Sequence, residues 1–281
     1  MAHRIALISD IHGNVTALQA VLADAARLSA DEYWVLGDVF MPGPGTDEVF
    51  DLLDGVNTTV FVHGNWEGAL AAIIKGMIDF DDPTDIYGAR LTMFAHEGLG
   101  DAGVERATTW PMTVTRQFGG LKITASHNLP DKSGGMDLIS DAPPPNFTRL
   151  FEGGADIAVV GHTHAPMVRP GRSGIVINPG SAGVPAWFDD AGRMARDVRV
   201  HYGLLTISDR GVDQIDLRAI EYDIEAELKL ARRMGLPYFE LYEEQLTTGL
   251  AHTHDLPKLD QINQRCGYIA EVRANWQQGQ Y

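Results

Sequence analysis

The stretch Ile8-Ser9-Asp10-Ile11-His12-Gly13-Asn14 decides how the rest of the chain is read. It continues the apolar run Ile5-Ala6-Leu7-Ile8, which has the make-up of a buried strand. Such a strand has no packing reason to end on an aspartate and a histidine two residues apart. Both side chains can bind metal. Behind them, residues 15–28 (VTALQAVLADAARL) carry apolar positions at helical spacing, and Asn14 stands where an N-cap belongs. Strand, polar turn and helix form the first unit of a β-α-β pattern.

The pattern continues outward. Residues 33–36 read as a strand ending at Gly37-Asp38, residues 46–54 as a short helix, and "TTVFVHGN" as a strand ending at Gly64-Asn65. This alternation predicts a parallel sheet with covering helices. Residues 66–106 read as helical with a break near Asp81-Asp82-Pro83. Strands at 113–118 and 121–126 meet at Gly119-Gly120 like a hairpin, and 128–145 is a polar loop. After a short helix, "DIAVVGHTH" is a strand that stops at Gly161. Segments 166–170, 174–178, 199–208 and 212–219 read as further strands. Residues 223–233 and 239–247 form amphipathic helices around Gly235-Leu236-Pro237. The expected organisation is a core domain over 1–220 and a helical C-terminal extension over 221–281 packed on it.

Each polar cluster falls at a strand end: Asp10 and His12, then Asp38, then Asn65, then His127 in "TASHN", then His162 and His164 in "VGHTH". Parallel sheets bind ligands at the carboxyl ends of their strands, so the fold would gather these side chains. Taken singly, an Asp-X-His pair serves turns and caps more often than metals, and a Gly-Asp says almost nothing. The ordered set is far harder to reach by accident. Its mixed imidazole, carboxylate and amide donors favour Mn, Fe, Zn, Ni or Co over calcium. Seven donors exceed one tetrahedral site and suit two ions about 3.5–4 Å apart that share a carboxylate.

The 281 residues suffice for a sizeable core, and the formal charge of −16 argues against a surface that grips long nucleic acid. Acidity does not exclude a small phosphorylated substrate, because bound cations reverse the local field. Cys266 is the lone cysteine, so no internal disulfide forms. No signal-peptide core is seen and no apolar run approaches the ~20 residues of a membrane span. The expectation is a cytoplasmic protein without membrane partners; self-association stays open.

The blocks "SDIHGN", "LGDVFMPGPG", "HGNWE", "ASHN", "GHTHAP" and "NPGSAG" resemble the calcineurin-like metallophosphoesterases, over residues 4 to about 220. The likeness is strongest to the short bacterial phosphodiesterase branch. Further blocks, "DEYWVLGDVFMPG", "SHNLPDK" and "GLPYFELYEEQL", are similar to a streptococcal protein regarded as an asymmetric diadenosine tetraphosphate hydrolase. The resemblance implies an α/β fold of two packed mixed β-sheets flanked by helices, a four-layer sandwich. It implies that Asp10, His12 and His164 hold one ion, that Asn65, His127 and His162 hold the second, and that Asp38 bridges, with Mn or Fe favoured. It also implies that a metal-bridging hydroxide attacks phosphorus in line. The substrate class would be phosphodiesters or phosphoanhydrides, with diadenosine polyphosphates the most specific choice. A broad phosphodiesterase acting on cyclic nucleotides or other small diesters is the alternative, and a non-catalytic scaffold a third.

One departure stands out. Many members have histidine directly after Gly-Asn to protonate the leaving group, and here that residue is Trp66. His63, two residues before Asn65 on the strand, is the candidate replacement acid; strand-end packing is its plainer role. Trp66 could stack on a base or simply pack. His96 and His201 read as structural, and His252-Thr253-His254 as a solvated imitation of Gly-His-Thr-His that could reach the pocket rim. Arg172, Arg193, Arg196 and Arg199 are surface cations near the later strands, any of which could meet a phosphate.

Overall fold

The computed structural model describes residues 2–184, 186–188 and 194–277, with side chains left aside at 186–188 and 194–196. Arg193 therefore lies outside the described residues, as does the side chain of Arg196. In order, the chain forms β1 (His3–Ile8), α1 (Val15–Arg27), β2 (Glu32–Val35), α2 (Asp47–Asp54), β3 (Thr58–Phe61), α3 (Asn65–Ile74) and α4 (Pro83–Thr108). Then follow β4 (Thr113–Phe118), β5 (Leu121–Ser126), α5 (Pro144–Thr148), β6 (Ile157–Val159), β7 (Met167–Pro170) and β8 (Ile175–Asn178). The chain continues through β9 (Ala186–Phe188), β10 (Met194–Arg196), β11 (Val200–Ser208) and β12 (Gly211–Ile220). It closes with α6 (Ile224–Met234), α7 (Phe239–Thr248), α8 (Leu256–Cys266) and α9 (Tyr268–Gln277).

Two five-stranded mixed sheets result, ordered β12-β11-β1-β2-β3 and β4-β5-β6-β8-β7, beside the small β9–β10 pair. Alternation along each strand explains the layering. In β1 and β2, Ile5, Leu7 and Trp34 face a core shared with Ile123, Ala125, Ile157 and Val159 of the second sheet. The intervening Ala6, Ile8, Tyr33 and Val35 face a larger helical core. In β6, Ala158 faces outward, onto a third cluster that includes Leu129, Leu138 and Phe147. The sheets thus pack face to face with helices outside the first and a loop-and-helix cover outside the second. This is the expected four-layer α/β sandwich. Among the described residues no helix is long and apolar enough to cross a membrane.

The C-terminal helices share the large helical core through Leu228, Ala231, Leu241, Leu246 and Leu259. Glu227 of α6 is buried, accepting from Thr16 N (2.9 Å) at the start of α1 and from Tyr242 OH (3.0 Å). Some boundaries depart from expectation. Asn65 opens α3 rather than closing β3, because Gly64 is already the N-cap. The segment 128–145 is polar in composition yet buries Leu129 and Leu138, since it must cover the outer face of the second sheet.

A candidate metal centre where the two sheets meet

Asn14 caps α1 by accepting from Ala17 N (3.1 Å), so the turn before it is held rigidly. That turn carries Asp10 and His12 at φ of 55° and 52°. Asp38 (53°), His162 (66°) and His164 (57°) also sit in the left-handed region. Non-glycine residues there are strained, and such strain gathers at functional sites. Close backbone approaches complete the fit. A Cβ on Gly161 would lie 1.9 Å from Ser9 Oγ, so no larger residue lets β6 reach β1.

The candidate donors converge from both sheets in two groups, Asp10–His12–His164 and Asp38–His127–His162, each with its ligand atoms within 4.8 Å of one another. Backbone carbonyls orient two of the rings. His12 Nδ1 donates to Met41 O (2.7 Å) and His127 Nδ1 to Leu36 O (2.6 Å), which directs both Nε2 atoms inward. Asp10 Oδ2 accepts from Ser9 Oγ (2.6 Å) and His162 N (3.0 Å). Its Oδ1 is buried with no hydrogen-bond partner, and lies 3.2 Å from His164 Nε2 and 3.8 Å from His127 Nε2. The Nε2 atoms of His12 and His164 face each other at 3.2 Å. Asp38 Oδ1 accepts from Trp66 N (2.8 Å). Its Oδ2 stands 3.3 Å from His127 Nε2 and 4.0 Å from His12 Nε2, so one carboxylate looks into both groups. Asn65 Oδ1 is 3.2 Å from His127 Nε2.

The electrostatics suit a cation. Burial opposes the charge of Asp10, but His164 and His127 outweigh it and hold the carboxyl well below its usual range. Burial likewise opposes ionisation of Asp38, and His127 and His12 overcome it. Burial lowers His12 and His162. It disfavours the His127 cation too, yet Asp38 and Asp10 prevail and push that ring up to about 10. Two buried carboxylates thus favour positive charge on the ring between them, a role that a divalent ion would take over. A buried carboxylate oxygen without a hydrogen-bond partner, beside facing imidazole nitrogens, is the donor arrangement a transition metal takes.

A family model for the calcineurin-like phosphoesterase superfamily domain matches residues 3–209. The chain belongs to this superfamily. Similarity to solved structures shows that the fold is shared with a metallophosphoesterase. A metallophosphoesterase from Sphaerobacter thermophilus superposes with a TM-score of 0.66 at 25% identity, covering 89% of this chain and 100% of that one. A hypothetical protein from Pyrococcus horikoshii superposes with a TM-score of 0.70 at 21% identity, covering 88% and 99%. An uncharacterized protein of Methanocaldococcus jannaschii is 25% identical over 248 residues, 83% of this chain and 93% of the relative.

The remaining candidates scatter. Trp66 reaches the centre, its ring edge-on to His12 at 6.0 Å. It lines both a small cavity of about 150 Å³ over the donors and a larger one of about 760 Å³ beside it. His63 is half-buried with Nε2 near Gly68 and lines neither cavity. His254 lines the larger cavity, whereas His252 turns to Asp255 (3.1 Å) and Glu244 (3.1 Å). His96 pairs with Asp101 (2.8 Å), and His201 with Asp197 (3.4 Å). Arg172 lines a different cavity beside Phe147, and Arg199 pairs with Asp197.

One residue escaped the sequence reading. Glu67 is buried, and its carboxylate accepts from the backbone N–H groups of Asp38 (2.8 Å), Val39 (2.9 Å) and Gly64 (2.8 Å). Burial, with the charge of Asp38, pushes it up to about 7. The readable signal was its place three residues after the N-cap of α3, where Glu reaches back to the cap N–H.

Proposed function

We propose that the protein is a metal-dependent phosphoesterase that uses two divalent transition-metal ions to hydrolyse phosphodiester or phosphoanhydride bonds. The observation that carries this reading is the buried, unpartnered Asp10 Oδ1 among inward-facing imidazole nitrogens. Asp10, His12 and His164 would hold one ion, Asn65, His127 and His162 the other, and Asp38 both; Mn or Fe is favoured among Mn, Fe, Zn, Ni and Co. Bound there, such ions supply a hydroxide nucleophile at neutral pH and neutralise phosphoryl oxygens. The chain's own part is orientation: Met41 and Leu36 carbonyls set the His12 and His127 tautomers, and Ser9 and the His162 amide fix Asp10.

Trp66 offers no proton where a leaving group would depart, so groups that leave as anions suit the site best. Diadenosine polyphosphate is one such substrate, and Trp66 supports a nucleobase beside the centre. A broader phosphodiesterase is the second reading, supported by Asp85 and Asp255 on the larger cavity, which oppose a long polyanion there. The test is metal content of the purified protein, followed by a panel of aryl diesters, cyclic nucleotides and dinucleoside polyphosphates with added Mn²⁺. Metal-stimulated cleavage of at least one of these substrates is expected. An empty protein, inert with every substrate and metal, would instead be a scaffold.

A further inference from the structure

The larger cavity is continuous with the donor site. Asn65, Trp66, His162 and His164 line both spaces. The inner space, about 150 Å³, has room for little beyond a phosphoryl group. The outer one, about 760 Å³, is the size of a pocket for a drug-sized organic body. Its walls have a definite chemistry. Trp66, Ala69 and Ile73 line it from successive turns of one face of α3. Met136 and Ile139 line it from the cover of the second sheet. Met136 is 64% exposed, and its flexible thioether adapts to irregular partners. Away from the donor histidines His162 and His164, where the two spaces meet, the charged groups on the walls are the carboxylates Asp85 and Asp255 and, when protonated, His254; among the described residues no lysine or arginine lines this space.

We infer that this cavity is a subsite for a bulky, uncharged, apolar group esterified to the phosphate, so that the protein selects diesters of aryl or large alkyl alcohols over small diesters and over polyphosphates. The inference rests on the second of the two readings above, the broader phosphodiesterase, and opposes the diadenosine polyphosphate one. It adds the specificity residues Ile73, Met136 and Ile139, which touch the organic group and not the reacting atoms. A second phosphate in the cavity would be repelled by the charge of Asp85 and Asp255, whose carboxylates already accept from Asp79 N (2.7 Å) and Lys258 N (3.3 Å), whereas an uncharged apolar body would not.

Methyl p-nitrophenyl phosphate and 2-naphthylmethyl p-nitrophenyl phosphate test this, because both release the same p-nitrophenolate. With Mn²⁺, kcat/KM should favour the naphthylmethyl ester by roughly 10–100-fold, the range apolar-pocket discrimination allows. Met136→Glu and Ile139→Ala should each cut that ratio. The γ-p-nitrophenyl ester of a nucleoside triphosphate should be cleaved no better than the methyl ester. Independently of turnover, 2-naphthylmethanol should bind the metal-free protein in calorimetry with a negative heat-capacity change, more weakly in Met136→Glu. A ratio near one that neither variant moves, or preference for the triphosphate ester, overturns the subsite. Naphthylmethanol binding without cleavage of any ester would keep the apolar site and overturn the hydrolytic reading instead.

Discussion

Glu67 touches no proposed ligand atom, yet its loss should be among the most damaging single changes. In Glu67→Ala, three buried backbone N–H groups, those of Asp38, Val39 and Gly64, lose their acceptor at once. Each unsatisfied donor costs about 1–3 kcal/mol, and water entering the space left behind recovers part of that, so the net loss should be about 3–5 kcal/mol. At roughly 2–4 °C per kcal/mol for a chain of this size, Tm should fall by roughly 6–20 °C. The turn that presents Asp38 would loosen with it, and Mn²⁺ affinity should drop about 10–100-fold, as for other groups that orient ligands. Glu67→Gln is the informative companion. Its carbonyl oxygen can still serve Asp38 and Gly64, which share one carboxylate oxygen in the native protein, while its NH₂ meets the Val39 N–H. The loss should be smaller, about 1–3 kcal/mol. Calorimetric melting and Mn²⁺ titration of the three proteins read both effects. If Glu67→Ala melts within about 2 °C of wild type and binds Mn²⁺ equally well, the carboxylate does not position Asp38.

Three other outcomes are expected. Asp38→Asn should bind fewer than two ions at saturating Mn²⁺ and lose activity below detection; full stoichiometry with retained rate would rule out a shared carboxylate. Trp66→His should raise kcat/KM for alkyl esters by up to about 10²-fold with little change for aryl diesters; an unchanged aryl-to-alkyl ratio would show that proton donation does not limit this site. Burial works against ionised Asp24, but hydrogen bonds from Arg218, Tyr202 and Arg27 outweigh it and hold the group down to about 2. A lowered carboxyl stabilises the fold above its unfolded value of 3.8, and that contribution is lost as pH falls toward 2. Asp24→Asn should therefore narrow the Tm difference between pH 6 and pH 3, and an unaltered difference would refute the assignment.

The candidate ligands were legible because each sits in a short block at a strand end, where fold class alone predicts convergence. Asp10, His12, Asp38, His127, His162 and His164 needed no tertiary knowledge beyond that rule. Asn65 was named as a candidate amide donor but placed on the wrong element, since a glycine before a helix and a glycine after a strand look alike. Glu67 was illegible as an orienting group because its partners are backbone atoms of a turn 28–29 residues earlier. The cavity walls were harder still. They join α3 to Met136, Ile139, Ala165 and the 249–255 stretch, segments without a common motif. The β9–β10 pair lay in a stretch too short and mixed to show a period. His252 and His254 imitate a ligand pair in sequence, and only packing separates one that braces Glu244 and Asp255 from one that lines the cavity.

His162 and His164 are two residues apart on one turn, yet each belongs to a different donor group. During synthesis, Asp10 and His12 emerge early, and their group stays open until His164 follows more than 150 residues later. The other group closes at His162, a moment before. On the proposed two-ion reading, a nascent chain therefore offers neither ion all of its donors until His162 and His164 have been made and β6 has joined the second sheet. Any motion that lifts Gly161–His164 away from Ser9 opens both groups together, so a chelator should strip the two ions in one kinetic phase, and two well-separated release phases would contradict that coupling.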